Sequence, residues 1–163
     1  MELIQQGVLA GHRILLFSQF VTMLERLEEK LKERGISYYS LTGSTGKRMR
    51  SQLVRDFQEK DEAKVFCISL KAGGTGLNLT AADMVIHYDP WWNQAVQDQA
   101  TDRVHRIGQK NPVTVYRLLE KNTIEEKIQH LQEKKKNLAE ELLSGENMGS
   151  GSFNREELLE ILI

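Results

Sequence analysis

Short apolar runs alternate with amphipathic helical patterns along most of this chain, and this alternation limits the possible folds more than any other feature. The runs that predict strands are residues 14–17, 37–41, 64–70, 84–88 and 113–119. Between them, over residues 19–34 and 47–59, apolar side chains recur at three- and four-residue spacing, which indicates helices packed on a core. Strands that alternate with such helices predict an α/β fold with a doubly wound, mainly parallel sheet flanked by helices.

Glycines mark the ends of the predicted helices. A short helix over residues 2–10 is expected to end at Gly11, and the helix over residues 19–34 at Gly35. The residues expected to face the core from the helices over 19–34 and 47–59 are Phe20, Met23, Leu24, Leu27, Leu31, Met49, Leu53, Val54 and Phe57.

The loops that follow the predicted strands form an expected functional edge. These loops are residues 18–19, 42–46, 70–78 and 89–93. The carboxyl ends of parallel strands meet at one edge of a sheet, and ligands bind there in folds of this kind. We therefore expect binding residues from distant parts of the chain to gather at that edge.

Composition excludes several classes of protein. The 22 basic and 23 acidic residues give a net charge of −1, which argues against a stand-alone, avid nucleic-acid binder. The single cysteine, Cys67, lies in an apolar run, so it is expected in the core and no disulfide framework can form. No apolar run approaches membrane-spanning length, so no membrane partner is expected. The sequence offers no metal-ligand cluster and no grouping of a nucleophile with a base.

Two segments carry groups that suit phosphate. The loop over residues 71–76 (KAGGTG) can form a concave nest of backbone amides beside Lys71, or it can be a flexible turn. Lys47, Arg48, Arg50 and Arg55 form a basic group after the turn over 42–46, or a solvated helix face. Residues 43–48 (GSTGKR) lack the spacing of a nucleotide phosphate loop, so the chain is not expected to hydrolyse ATP unaided.

Residues 97–109 (QDQATDRVHRIGQ) predict a helix that ends at Gly108. Gln99, Arg103 and Arg106 share one face of it, because they are four and three residues apart. Guanidinium groups donate bidentate hydrogen bonds to phosphate oxygens, so this face suits an anion that gains charge during a reaction. The alternative is an ordinary surface ion pair between Asp102 and Arg106.

Two adjacent tryptophans, Trp91 and Trp92, follow the fourth predicted strand. Their side chains point in different directions, so both cannot easily be buried. One is expected to anchor the loop in the core, and the other to face a partner, DNA or a neighbouring lobe. Trp92 is our candidate for the second role.

The C-terminal part has its own pattern. A capping box, Thr123 with Glu126, opens a long helix over residues 123–143. Residues 144–152 are a flexible linker by composition, and residues 153–163 predict a terminal helix. The expected domains are therefore a lobe over residues 1–122 and a C-terminal helical extension.

Four blocks of this sequence resemble the second RecA-like lobe of the Swi/Snf-type ATPases, within the superfamily-two helicases. They cover about residues 12–130, in the family's order. Gln94 departs from the pattern, since the family commonly has proline there. The blocks read ILLFSQF, LTGSTGKRMRSQLVRDFQ, ISLKAGGTGLNLTAADMVIHYDPWWN and QATDRVHRIGQKNPVTVYRLLEKNTIEEKI.

The resemblance implies a RecA-like fold and a DNA-dependent ATPase that translocates along duplex DNA through sequence-independent backbone contacts. It also implies an N-terminal RecA-like lobe of the same protein, which would bind most of the ATP and Mg²⁺, and DNA-bound protein targets as further partners. This chain alone is expected to be inactive. The alternative is a non-catalytic DNA- or protein-binding module that has retained the fold.

Residue by residue, the resemblance assigns Arg103 and Arg106 to the family's arginine-finger motif, preceded by Gln99. It assigns Gly74, Thr75 and Gly76 to the motif that couples nucleotide state to the grip on DNA, so they join the two arginines as candidate ATP-binding residues. The family's DNA-backbone blocks cover Ser18, Gln19, Thr42, Gly43, Ser69, Lys71 and Gly73. From the sequence itself, Lys47 and Trp92 are added as candidate DNA contacts.

Overall fold

The computed structural model describes residues 1–73, 77–89, 101, 112–119, 123 and 134. The helices are α1 (Glu2–Leu9), α2 (Val21–Glu33), α3 (Lys47–Glu59) and a single turn, α4 (Leu70–Gly73). The strands are β1 (Ile14–Ser18), β2 (Tyr38–Leu41), β3 (Val65–Ser69), β4 (Met84–His87) and β5 (Thr114–Arg117). Apart from Thr101, Thr123 and Lys134, the helices predicted over 97–109, 123–143 and 153–163 lie outside the described residues, as does the linker over 144–152.

The strands form one five-stranded, all-parallel sheet in the order β2-β3-β1-β4-β5. This confirms the predicted doubly wound α/β fold. β1, β3 and β4 are buried along their whole length, as continuous apolar runs in parallel sheets generally are. Pro112 comes just before the edge strand β5, where its missing N–H donor matters little.

The core lies on both faces of the sheet. On one face, Phe17, Phe66 and Ile68 pack with Phe57 of α3. On the other face, Leu16 and Cys67 pack with apolar residues of α1 and α2. Cys67 is fully buried, so it is a core residue as predicted, and its burial raises the pKa of the thiol well above its usual value.

Two side chains predicted to be buried are exposed. Phe20 is 55% exposed because it precedes α2 in extended backbone, with φ −101° and ψ 118°, and so lies off the helical stripe. Met49 is 53% exposed, because it belongs to the first turn of α3 and only Leu53, Val54 and Phe57 reach the core from this helix. The predicted loop after β3 also begins later than expected, since Leu70–Gly73 form the turn α4.

The chain divides into two compact units, Met1–Leu118 and Leu119–Ile163. Within the part of the chain that the structure describes, no helix is long and apolar enough to cross a membrane. The same residues contain no group of His, Cys, Asp and Glu side chains that could hold a metal ion.

Gly35 ends α2 in the left-handed region, with φ +67°. The N–H of Gly35 donates to the carbonyl of Lys32 at 3.0 Å, and the N–H of Ile36 donates to that of Leu31 at 3.0 Å. These bonds satisfy carbonyls that the helix leaves free at its end, and they require a positive φ at the glycine.

We expect Gly35→Ala to lower the free energy of unfolding by about 1 kcal/mol, because a Cβ disfavours the left-handed region. No atom lies within 4 Å of the added Cβ, so the loss would come from the backbone alone. Gly43→Ala is the matched control, since its Cβ also meets nothing within 4 Å and its φ is not positive. Urea denaturation checks this, and equal midpoints for the two variants would contradict it.

Candidate functional site

The carboxyl ends of the strands bring distant loops together, as the loop positions predicted. β1 pairs with β3 so that Ser18 lies beside Ser69, and β1 pairs with β4 so that Phe17 lies beside His87. The chain leaves β1 toward β2 and leaves β4 toward β5, in opposite directions across the sheet. Such a divergence opens a crevice between the two strand ends, where ligands bind in folds of this class.

Asp89 bridges this crevice. The hydroxyl of Ser18 donates to Oδ2 of Asp89 at 2.6 Å, and the backbone N–H of Gln19 donates to Oδ1 at 2.9 Å. Ser18 is fully buried, and its Oγ also accepts from the N–H of Phe20 at 3.1 Å. Two predicted DNA contacts, Ser18 and Gln19, are therefore fastened to the loop after β4.

The turn after β2 leads directly into the basic end of α3. The backbone N–H of Thr42 donates to Oγ1 of Thr45 at 3.0 Å, and the hydroxyls of Thr42 and Ser44 lie 2.8 Å apart. Gly46 is the N-cap of α3, so no side chain caps the free N–H groups of the first turn. Lys47, at the start of α3, is exposed.

The segment around the predicted glycine nest is held on α3. Nη1 of Arg50 donates to the carbonyl of Ala72 at 3.3 Å. Further along the chain, after the nest, Nε2 of Gln58 donates to the carbonyl of Asn78 at 2.8 Å, and Oε1 of Gln58 accepts from the N–H of Ala81 at 2.8 Å. α3 therefore positions the chain on both sides of residues 74–76.

An open groove of about 570 Å³ runs between α3 and the segment after the nest. Lys47 and Arg50 supply its positive charge. The other lining residues are Thr45, Ser51, Val54, Leu77 and Asn78. A positively charged groove with hydroxyl and amide groups suits the phosphates of a nucleic-acid backbone. Contacts to phosphates do not depend on the base sequence.

Ser69 and Lys71 lie at the end of β3. Ser69 is 3% exposed, and its hydroxyl has no hydrogen-bond partner among the residues that the structure describes. Lys71 is exposed in the turn α4, which ends at Gly73. The remaining predicted site residues lie outside the described residues: Gly74, Thr75, Gly76, Trp92, Gln99, Arg103 and Arg106.

Sequence reasoning missed three residues: Asp89 and His87 at this edge, and Gln58 in the last turn of α3. Asp89 begins the loop predicted over residues 89–93, and a carboxylate directly after a buried parallel strand is a usable signal for a residue at this edge. Gln58 carried no signal, because its partners are 20 to 23 residues further along the chain. His87 lies in the apolar run over residues 84–88, which predicts only a buried strand.

The family model described as the helicase conserved C-terminal domain matches residues 1–108. The chain belongs to this family. This match covers all eight described residues that were predicted to contact DNA: Ser18, Gln19, Thr42, Gly43, Lys47, Ser69, Lys71 and Gly73.

Individual relatives agree with the family match. An uncharacterised ATP-dependent helicase of Mycoplasma pneumoniae is 42% identical over 161 residues, which is 99% of this chain and 16% of that protein. The human chromatin-remodelling ATPase INO80 is 43% identical over 153 residues, 94% of this chain and 10% of that protein. A crystal structure of the C-terminal part of the Fun30 ATPase domain has a TM-score of 0.76 at 37% identity, covering 79% of this chain and 42% of that one. The resemblance to the second RecA-like lobe of Swi/Snf-type ATPases is confirmed.

We expect Asp89→Asn to lower the free energy of unfolding by about 1–3 kcal/mol, because an amide nitrogen would face one of the two donors that the carboxylate now accepts. Asp61→Asn is the control, since Asp61 is an exposed partner of Lys64 and its loss should hardly change the midpoint. Urea denaturation of both variants checks this. If Asp89→Asn unfolded at the wild-type midpoint, the Asp89 bridge would make no contribution to the free energy of unfolding.

Proposed function

We propose that this chain is the second motor lobe of an ATP-dependent translocase that acts on double-stranded DNA. The observation that carries the proposal is the basic, uncapped start of α3, which lines the groove at the carboxyl edge of a helicase C-terminal fold. The names of the relatives, an ATP-dependent helicase and chromatin-remodelling ATPases, agree with it.

The first turn of α3 is unfavourable for an isolated helix. Lys47, Arg48 and Arg50 lie at the positive end of its dipole, and the turn contains no acidic residue. Each cation at that end costs the helix about 0.3–1 kcal/mol at low ionic strength. A bound phosphate would make the electrostatic energy of this turn favourable, because the free N–H groups and all three cations attract it. This arrangement supports contact with a DNA backbone.

In the proposed mechanism, ATP and Mg²⁺ are bound mainly by the N-terminal lobe. Arg103 and Arg106 then stabilise the negative charge that develops on the transferring γ-phosphoryl group, and Gln99 assists on the same predicted helix face. Gly74, Thr75 and Gly76 link the nucleotide to the DNA-binding edge, since α3 holds the chain on both sides of them.

DNA-stimulated ATP hydrolysis by the two-lobe protein tests the proposal. We expect Arg106→Ala to lower kcat by a factor on the order of 10³ while ATP binding is retained, because the arginine acts on charge formed in the transition state. Arg34→Ala is the matched control, since Arg34 is exposed at the end of α2. Normal turnover by Arg106→Ala would reject the arginine-finger assignment. No hydrolysis by the two-lobe protein with duplex DNA would favour a non-catalytic binding module.

The salt dependence of DNA binding tests the groove. We expect Lys47→Ala in the two-lobe protein to weaken binding equally for unrelated duplex sequences and to reduce the slope of log K against log [salt] by about 1, as the loss of one phosphate contact does. Lys32→Ala, an exposed lysine in the last turn of α2, should leave the slope unchanged. Identical slopes for the two variants would remove Lys47 from the DNA interface.

A further inference from the structure

His87 is a buried polar residue at the end of an otherwise apolar strand. It is 1% exposed, and it follows Met84, Val85 and Ile86 in β4. Its ring stacks on Phe17, the residue paired with it on β1, with the ring centres 5.4 Å apart and the planes 17° apart. An apolar ring would pack equally well at this position. Burying the imidazole nitrogens costs free energy unless they form hydrogen bonds.

The His87 ring forms such a bond with Thr101. Nε2 of His87 is 3.0 Å from Oγ1 of Thr101, which is 14 residues further along the chain. Thr101 is helical and half-buried. A hydrogen bond fixes both distance and direction, whereas apolar contacts tolerate sliding and rotation. The end of β4 therefore determines where the Thr101 side chain points.

Thr101 lies within the segment that carries the predicted arginine fingers. Successive residues of an α-helix are about 100° apart around its axis, so on the predicted helix Gln99, Arg103 and Arg106 lie about 140–160° from Thr101. On that predicted helix, a Thr101 side chain held by the sheet would leave those three side chains on the face away from Thr101.

We propose that His87 is a positioning residue for ATP hydrolysis: through its hydrogen bond to Thr101, it sets the rotation of the helix predicted over residues 97–109, which carries the proposed arginine fingers Arg103 and Arg106. This inference rests on the proposed function and deepens it. In this proposal His87 does not contact the nucleotide but determines the position of the two arginines. Its loss is therefore expected to affect the stabilisation of the transition state more than ATP binding.

The test uses the two-lobe protein with saturating duplex DNA. His87→Phe retains a ring that can stack on Phe17 but removes Nε2, while Thr101→Val retains the shape of threonine and removes the hydroxyl. We expect each variant to lower kcat about tenfold with KM for ATP changed less than about twofold, since small misplacements of catalytic groups reduce rate steeply. The double variant should be no slower than either single one, because both remove the same bond.

Thr101→Ser is the conservative control, because it retains the hydroxyl and should preserve near-normal kcat. A purely structural role would lower the melting temperature without changing kcat per folded molecule, so thermal melts accompany the kinetics. If His87→Phe does not fold, the Thr101 variants decide the matter alone, since Thr101 is only half-buried. Wild-type kcat in Thr101→Val, or losses that multiply in the double variant, would overturn the proposal.

Arg106→Ala, measured in parallel, separates this inference from the proposed function. If Arg106→Ala loses turnover while Thr101→Val and His87→Phe retain it, the positioning role is wrong and the motor-lobe function stands. If Arg106→Ala itself turns over normally, the arginine-finger assignment fails and the positioning role fails with it.

Discussion

The parallel pairing of β1 with β3 on one side and β4 on the other is the constraint on which the rest of the structure depends. All five residues of β1 are buried, and a slip of one residue would exchange the side chains on its two faces. The register is therefore fixed by the core, and it aligns Ser18 with Ser69 and Phe17 with His87. The stacking of Phe17 on His87 and the bridge from Asp89 to Ser18 follow from that alignment.

The charges at the two ends of α3 have opposite effects: those at the C-terminal end stabilise the helix, and those at the N-terminal end suit the binding of an anion. At its C-terminal end, the guanidinium of Arg13 lies 4.3 Å from the centre of the Phe57 ring and donates to the carbonyls of Phe57 and Lys60. A cation there complements the negative end of the helix dipole. At the N-terminal end, Lys47 and its neighbours oppose the dipole. The helix is thus secured at one edge of the sheet, which leaves the other end available to a charged ligand.

Much of the fold could be predicted from the sequence because buried strands and amphipathic helices have local periods. The central strands and the stop at Gly35 follow directly from those periods, and the four motif blocks led to the correct family. Periodicity does not reveal where a helix begins, which is why Phe20, just before α2, and Met49, in the first turn of α3, were wrongly expected in the core. It also cannot find partners such as Ser18 and Asp89, 71 residues apart, since only the tertiary register brings them together.

The contacts at the carboxyl edge differ in kind from those of the core. Hydrogen bonds to the Asp89 carboxylate from Ser18 and Gln19 hold the loop after β4 against the loop after β1. Loops held in this way open at lower free energy than the strands beneath them. The groove at α3 and the contact of His87 with Thr101 both lie on segments joined to one frame, β1 with its neighbouring strands. Under the proposed function, phosphate at the first segment and nucleotide near the second would act on this same frame.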